Sequence, residues 1–283
     1  VAAKYEDTGD SSAGAAYIFE HNGSDWIQVT KIQASDKAES DIFGSSVAIS
    51  GTTAIVGAYL EDPNDVSAAG AAYIFEKVDG TWGNAVDGET TYRTETHKIT
   101  ASDAQDNDRF GNSVAISGTT AIVGAHQEDI ITADDDNAGA AYIFEKDGST
   151  WTEVTKIQAS NRESGARFGE SVAISGTTAI VGAYLEDTGG TNTGAAYIFE
   201  KIDGTWGKAV DGEPTYRTET QKIQSNDKQE HDHFGYSVAI SGTTAIVGAH
   251  NVHASSFGAA YIFEHNGSTW TQVQKIQSND KQE

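Results

Sequence analysis

The sequence has 283 residues, of which 42 are acidic and 18 are Lys or Arg, so its formal net charge is −24, and it contains no Cys. This excess of negative charge repels nucleic acid and anionic membrane surfaces at long range, and the absence of Cys excludes disulfides and thiolate metal sites. No apolar run approaches the ~20 residues that a membrane-spanning helix needs, so we expect neither a nucleic-acid partner nor membrane insertion.

Two phrases recur along the chain and divide it into units. The phrase FGxSVAISGTTAIVGA begins at Phe43, Phe110, Phe168 and Phe234, and the phrase GAAYIFE begins at Gly14, Gly70, Gly139, Gly194 and Gly258. Tandem self-similarity of this kind indicates a repeat architecture. We therefore predict a single repeat domain over residues 1–283, with units at roughly 1–42 (incomplete), 43–109, 110–167, 168–233 and 234–283.

Each complete unit predicts four strands in the same order. The segment SVAIS alternates larger and smaller residues, and SGTT predicts a tight turn into AIVGA, so the two segments form a β-hairpin. The segment AAYIFE is apolar on both faces, which is typical of a strand covered on both sides. The Trp-bearing segment that ends in Lys-Ile mixes apolar and charged residues, which is typical of an edge strand. We find no apolar stripe with the helical period.

These units predict an all-β fold: a β-propeller whose blades are four-stranded antiparallel sheets. Five blade units are visible, and the first is incomplete because VAAKYEDTG at Val1 aligns with VGAYLEDTG at Val181. Its two inner strands are therefore missing, and either a longer parent chain or strand donation between subunits would supply them. The second and fourth units carry an insertion of 11 residues after their Trp. Since strands alternate in direction, the variable loops converge on one face.

The Phe43-Gly44 pair, Gly57-Ala58 and the GAAYIFE strand resemble the FG-GAP repeat family, which includes the propeller of the integrin α-subunit head. The resemblance covers nearly the whole chain and implies an extracellular β-propeller of the bacterial type. Integrin-type repeats often bind Ca²⁺ through a DxDxDG loop between the first two strands. Here that turn is Ser50-Gly51-Thr52-Thr53, without carboxylates, so the family's calcium motif cannot be transferred.

The segments that join one unit to the next, called joints here, are acidic and are the strongest candidate site. Clustered carboxylates can supply the six to eight oxygen ligands of Ca²⁺. The predicted ligands are Asp36, Asp41, Asp103, Asp106, Asp108, Asp227 and Asp232. The alternative is that these side chains bond the amides of their own turns. The third joint has Asn161 and Arg167 in place of two carboxylates, so we expect it to bind least well, and the run Asp134–Asp136 is interpreted as a solvated tip.

Two further groups of residues have alternative interpretations. His231, His233, His250 and His253 lie in two loops and form either a transition-metal site or a chance concentration of His. One Trp occurs in each unit: Trp26, Trp82, Trp151, Trp206 and Trp270. Each of these side chains either forms a sugar-binding platform of a multivalent lectin or packs in the space between neighbouring blades.

The sequence thus predicts a non-enzymatic β-propeller, extracellular or on the cell surface, that serves adhesion, matrix or filament architecture and is stabilised by Ca²⁺. The expected partner is another protein or a second copy joined head to tail. A glycan-binding lectin is the first alternative function. A secreted hydrolase or lyase is the second, although no distinct set of nucleophile, base and oxyanion donor can be nominated.

Overall fold

The structure is a computed structural model that describes residues 1–7, 11–129, 137–251 and 257–278. Five β-sheets follow one another along the chain, one for each predicted unit, and their strands pair antiparallel within each unit. In the described parts of the chain the helical content is one short 3₁₀ turn at Pro63–Asp65, and no helix there is long and apolar enough to cross a membrane. The predicted all-β class is confirmed.

The strand bounds follow the repeated phrases. The first sheet contains β1 (Ala2–Ala3), β2 (Ala15–His21) and β3 (Trp26–Ile32). The second contains β4 (Ser46–Ser50), β5 (Thr53–Ala58), β6 (Ala71–Val78), β7 (Thr81–Trp82) and β8 (His97–Ile99). The third contains β9 (Phe110–Ser117), β10 (Thr120–Ala125), β11 (Ala140–Asp147) and β12 (Thr150–Ile157).

The fourth sheet contains β13 (Ser171–Ser175), β14 (Thr178–Ala183), β15 (Ala195–Ile202) and β16 (Thr205–Trp206). The insertion of this unit forms β17 (Lys208–Val210) and β18 (Glu213–Thr218), after which β19 (Gln221–Ile223) returns to the fourth sheet. The fifth sheet contains β20 (Phe234–Ser241), β21 (Thr244–Ala249), β22 (Ala259–His265) and β23 (Trp270–Ile276).

The same pairing register recurs from sheet to sheet. Ile55 of β5 lies opposite Ile74 of β6, and the matching residues are opposite one another in the third, fourth and fifth sheets. The hairpin between β4 and β5 turns at Gly51, whose φ of 57° is a left-handed value that favours glycine. Identical sequence therefore produces identical strands, turns and register.

Consecutive sheets pack face to face. In the cluster between the second and third sheets, Ile55 and Ile74 contact a surface that includes Val123, Phe144 and Trp151. Equivalent clusters join the first sheet to the second, the third to the fourth and the fourth to the fifth. Among the described residues, no such cluster joins the fifth sheet to the first. The core is therefore a series of apolar layers between neighbouring sheets.

The insertions, by contrast, were not assigned to any sheet by the sequence. Strand β18 pairs in parallel with β12 of the preceding sheet, with Tyr216 opposite Lys156. The insertion of the second unit reaches back in the same way, because Arg93 bridges Ile32 of the first sheet. In both cases the insertion of a long unit lies on the outer edge of the short unit before it.

The first sheet has the incomplete form that the sequence predicted. Strand β1 is only two residues long and pairs with the beginning of β2, with Ala2 opposite Ala16. No described strand lies inside β1. Within the described residues this sheet therefore has three strands, of which β1 aligns with the end of the second strand of the other sheets.

The close packing of sheets predicts that Gly124 in β10 cannot accept a side chain. A Cβ there would overlap the backbone carbonyl oxygen of Gly169 in the next sheet. We expect Gly124→Ala to lower the melting temperature, at a cost of about 1–3 kcal/mol, because the backbone contact must open. Circular dichroism during heating measures the change.

Gly248→Ala is the matched control, since this residue has the same repeat position but its nearest atoms belong to Ser237 of its own sheet. An equal loss of stability in both variants would contradict the role assigned to the contact between sheets.

Candidate functional site

The acidic joints lie beside the loops that follow the second strand of each sheet. The Asn107 amide donates to the Ser67 carbonyl, and the Ser67 amide donates to the Asp106 carboxylate over 3.0 Å. The equivalent backbone bond joins His231 to Thr191, and in the third joint the Arg167 amide donates to the Asn137 carbonyl. The predicted convergence of these two sets of loops is therefore present in the structure.

A lysine occupies the centre of each acidic group. In the third sheet the Lys156 ammonium donates to Asp103 over 2.7 Å and also to Glu128, and Gln158 donates to Glu128 over 2.8 Å. The Tyr142 hydroxyl donates to the other oxygen of Asp103 over 2.8 Å. Because the Lys156 side chain is only 8% exposed, its charge is neutralised by these carboxylates rather than by water. We call this arrangement the Lys-carboxylate cluster.

The cluster recurs with small changes. In the second sheet Lys98 donates to Asp36 over 2.7 Å and to Glu61 over 2.6 Å, and the Tyr73 hydroxyl donates to Asp36. In the fourth sheet Lys222 donates to Glu186 over 2.6 Å. There Asn161 replaces the joint carboxylate, accepts from Tyr197 and donates to Glu186. In the fifth sheet Lys275 donates to Asp227 over 2.6 Å.

The electrostatics of the cluster follow from its burial. Burial raises the pKa of Glu128, and the neighbouring Lys156 offsets part of that effect. Burial by itself would lower the pKa of Lys156, but the carboxylates of Glu128 and Asp103 outweigh it and the pKa is raised. The ammonium therefore stays charged at neutral pH and supplies the positive charge that the acidic group requires.

A second set of joint carboxylates accepts hydrogen bonds from backbone amides of the same joint, three residues earlier in the chain. Asp41 accepts from the Ala38 amide over 2.6 Å, Asp108 from the Gln105 amide over 2.7 Å, and Asp232 from the Gln229 amide over 2.8 Å. All three of these aspartates are buried. Burial raises the pKa of Asp41 to about 6 and that of Asp108 to about 7. The alternative interpretation, in which joint side chains bond local amides, describes these residues.

These contacts bear on the predicted calcium site. Calcium requires six to eight oxygen ligands that no other cation has taken. Here the carboxylates of Asp36, Asp103 and Asp227 bond lysine ammonium groups. Within the described residues, no group of three or more His, Asp or Glu side chains is placed to hold a metal ion. The donor set does not fit a calcium site as it stands, and calcium binding stays a prediction.

The predicted His cluster is only partly assembled. The rings of His233 and His250 stack with centroids 4.5 Å apart, and the nearest nitrogens are 3.1 Å apart. His231 is more distant, with its ring centroid 6.3 Å from that of His233. Burial and the two neighbouring imidazoles lower the pKa of His233. His253 and Asp134–Asp136 lie outside the described residues.

A buried polar group between the third and fourth sheets was not predicted from the sequence. Burial lowers the pKa of His126 to about 3, and its Nε2 lies 3.9 Å from Glu170. Arg109 and Arg167 lower that pKa further. The relevant signal is that these repeat positions vary from unit to unit, whereas the phrases around them do not.

Trp residues join neighbouring sheets through a shared glutamate. The Trp151 indole donates to Glu76 over 3.1 Å, and Lys146 of the same sheet lies 2.7 Å from that carboxylate. We call this contact between consecutive sheets the Glu-Trp contact. It recurs as Trp82 and Lys77 on Glu20, and as Trp206 and Lys201 on Glu145. At the last interface His265 replaces the lysine, 3.7 Å from Glu200, and the buried Trp270 indole makes no hydrogen bond with the described residues.

Four of the five Trp residues are at most 7% exposed, whereas Trp26 in the first sheet is 71% exposed. The four buried residues fill the space between sheets, as one interpretation predicted. The alternative of one exposed sugar platform in each unit is wrong for them, because the packing of the neighbouring sheet buries the ring.

Sheets that repeat a Phe-Gly joint, a Ser-Gly-Thr hairpin and a buried Tyr-Ile-Phe strand define an all-β tandem repeat protein. The family model described as FG-GAP repeat matches residues 26–75, 94–144, 151–199 and 218–263. The chain therefore belongs to the FG-GAP repeat family.

A solved structure shares this fold. It is the crystal structure of a functionally unknown protein from Desulfotomaculum acetoxidans DSM 771, with 13% identity and a TM-score of 0.54. The match covers 93% of this chain and 63% of that one. This likeness shows the fold alone. A comparison with curated proteins gave no significant match.

The raised pKa of Asp108 predicts how stability depends on pH. The folded protein retains this proton up to about pH 7, whereas an unfolded Asp loses it near pH 3.8. The contribution of this carboxyl to stability is therefore greatest at the acidic end of that window and decreases as the pH rises through it. Asp108→Asn should flatten the dependence and raise the melting temperature at pH 8 relative to the unchanged protein. Melting curves between pH 5 and pH 8 measure it.

Asp106→Asn is the control, because this side chain belongs to the same joint but is exposed. If Asp108→Asn keeps the slope of the unchanged protein, the assigned burial effect is wrong.

The Lys-carboxylate cluster predicts that removing its lysine creates a need for another cation. We expect Lys98→Ala to lose about 1–3 kcal/mol, because the carboxylates of Asp36 and Glu61 are left without their partner. Millimolar Ca²⁺ should restore part of that loss, whereas it should shift the unchanged protein little. Thermal melting with Ca²⁺ or with chelator measures both effects.

Lys77→Ala is a matched control, since Lys77 has similar exposure but pairs with the single carboxylate of Glu20. A large calcium shift in the unchanged protein would contradict the lysine interpretation and support the calcium prediction of the sequence.

Proposed function

We propose that the chain is a non-enzymatic β-propeller segment of an extracellular or cell-surface protein. Its function would be architectural, in adhesion, matrix or filament assembly, through the stacking of FG-GAP sheets on one another. Support for the propeller comes from consecutive antiparallel sheets whose glycine-lined inner strands contact the next sheet. In such a series each repeat contacts only its neighbours, so the two end sheets present surfaces made for another repeat.

The observation that carries this proposal is the complementarity of the two ends. On the fifth sheet Ile246 is 39% exposed and Ile276 is 43% exposed, whereas the equivalent Ile residues of the second, third and fourth sheets are buried. Glu264 occupies the position of Glu76 and is exposed, and no hydrogen bond or ion pair of its carboxylate occurs among the described residues. The fifth sheet therefore presents the acceptor half of the Glu-Trp contact.

The first sheet presents the donor half. His21 and Trp26 occupy the positions of His265 and Trp270 in the phrase YIFEHNGSxW, which the first and fifth units share. Trp270 is buried against the fourth sheet, while Trp26 is exposed. The interface between the fourth and fifth sheets, where His265 lies 3.7 Å from Glu200 and Trp270 packs beside it, is thus a template for a contact between Glu264 of one copy and His21 of another, with Trp26 packed beside it. We propose a second copy, joined head to tail, as the partner.

Trp26 also favours a second candidate function. Its ring lies edge-on to His21 with centroids 5.5 Å apart, and an exposed aromatic face can stack on a sugar. Glycan binding that is lost in Trp26→Ala, without self-association of the unchanged protein, would support the lectin alternative.

The head-to-tail proposal predicts reversible self-association. Sedimentation velocity across a micromolar concentration series, at physiological ionic strength, should give a rising mean mass for the unchanged protein, because salt screens the repulsion between acidic copies. Trp26→Ala should remain a monomer with an unchanged melting temperature, since this ring is exposed. Val29→Ser is the control. Val29 is about as exposed as its equivalents Val154 and Val273, so its exposure is not specific to the first sheet.

A charge exchange makes the test stricter. Glu264→Lys and His21→Glu should each prevent self-association. A mixture of the two variants should associate, because the intact His21 of the first variant meets the intact Glu264 of the second, and the introduced lysine meets the introduced glutamate at the reversed contact. A constant monomer mass for the unchanged protein at every concentration would overturn the proposal.

A further inference from the structure

The Lys-carboxylate cluster of the fourth sheet differs from the others in one residue that changes its chemistry. Asn161 holds the position of Asp36, Asp103 and Asp227 in the other clusters. An ionised carboxylate paired with an ammonium group is a poor electrophile, because it is negatively charged and offers no leaving group. A carboxamide is neutral, and its nitrogen can leave as ammonia. The fourth cluster therefore combines a lysine with an amide carbon that an amine can attack.

One oxygen of Glu186 bonds both reacting groups. The Lys222 ammonium donates to Glu186 Oε1 over 2.6 Å, and the Asn161 amide nitrogen donates to the same oxygen over 2.8 Å. Glu186 is 0% exposed, so moving a proton from the ammonium to its carboxylate replaces a buried charge by neutral groups. In the third sheet, the lysine at this position contacts the joint residue directly, with Lys156 2.7 Å from Asp103. The lysine of this cluster is thus within reach of the joint side chain.

The Tyr197 hydroxyl completes the set. It donates to Asn161 Oδ1 over 3.0 Å, and this oxygen gains negative charge when an amine adds to the amide carbon. Tyr197 of β15 pairs opposite Lys222 of β19, and the Lys222 nitrogen lies 5.5 Å from the centre of the Tyr197 ring. Burial raises the pKa of Tyr197, so the hydroxyl keeps its proton and remains a donor. A nucleophile, a base and an oxyanion donor therefore surround one amide group.

We propose that Lys222 and Asn161 form an intramolecular amide bond between Nζ and Cγ, with release of one ammonia. Glu186 takes a proton from the Lys222 ammonium, and the neutral amine attacks Cγ while Tyr197 bonds to Oδ1. Glu186 then gives that proton to Nδ2 of Asn161, and the Cγ–Nδ2 bond breaks. The departing ammonia takes the second proton that the amine nitrogen loses and leaves as ammonium. Nothing is oxidised or reduced, and no co-reactant is needed.

The bond would fasten a short strand and goes beyond the stacking function. Lys222 lies in β19, which has three residues and follows the insertion of its unit. Asn161 lies in the joint before the same sheet. The bond therefore closes a loop of chain that contains the inner strands of the fourth sheet. A covalent closure of this kind stabilises a protein by limiting the conformations of its unfolded state, as a disulfide does.

Mass spectrometry of the purified, denatured protein tests the bond. The chain should be lighter than its sequence by one ammonia. Trypsin should release a branched peptide that joins residues 157–162 to residues 218–228, because it does not cut after an acylated lysine. The branched peptide decides, since succinimide formation at another Asn also releases ammonia. Separate peptides with intact Asn161 and Lys222, or with the Asn161 amide hydrolysed, would overturn the proposal.

Three variants test the assigned roles. Glu186→Gln removes the base, and Lys222→Arg removes the nucleophile but keeps its charge, so neither should give the branched peptide. Tyr197→Phe should slow formation of the bond by about 100-fold, seen as a smaller bonded fraction that rises during incubation. A branched peptide from Glu186→Gln at the level of the unchanged protein would contradict the role of Glu186.

Asn161→Asp is the matched control. It gives the fourth sheet the Lys, Asp and Glu set of the third, where Lys156 bonds Asp103 and Glu128, so the variant should fold. We expect an ion pair, the full mass of the chain and a lower melting temperature than that of the bonded protein. A branched peptide from this variant, formed with loss of water, would contradict the need for an amide leaving group. A melting temperature equal to that of the bonded protein would contradict the stabilising effect.

Discussion

The close approach of backbones between consecutive sheets is the constraint on which the rest of the structure depends. Gly57, Gly124 and Gly182 of the second strands each face the carbonyl oxygen of the Phe-Gly glycine of the next sheet, with no room for a Cβ. This approach sets the distance at which the Ile and Val side chains of neighbouring sheets interlock, and protein interiors tolerate little change in such packing. The sixteen-residue phrase is repeated because every interface imposes the same constraint, and the loops are the only segments left free to vary.

The charged residues follow a similar logic. Carboxylates that lose water at an interface need a partner. Each of the four interfaces supplies one lysine or histidine to its glutamate, and three of them also supply an indole. On the loop face, Lys98 and Lys156 neutralise joint carboxylates in the same way. A chain with a net charge of −24 thus places its few basic groups where acidic groups are desolvated.

Local sequence patterns predicted the strands, their order and the incomplete first sheet, because period and turn chemistry are properties of neighbouring residues. The acidic joints were also located correctly beside the second-strand loops. Their partner was missed, since the Lys-Ile ending was interpreted as an exposed edge and Lys156 is in fact buried. Likewise, nothing in the period of the Trp segments separates Trp26 from the other four. That difference depends on whether another sheet covers the ring, which is a property of the assembly.

The alternation of long and short units has a physical explanation in the edges of the sheets. In the short units the fourth strand is continuous, as in β12 with eight residues, and such an edge is a template for pairing with another chain. The long units have instead two fragments, β16 with two residues and β19 with three, which leave little edge to pair. The insertion that separates these fragments forms β18, which pairs with the last two residues of β12, Lys156 and Ile157. One long unit therefore interrupts its own outer edge and pairs with the end of its neighbour's, so a long unit and the short unit before it share one outer-edge arrangement.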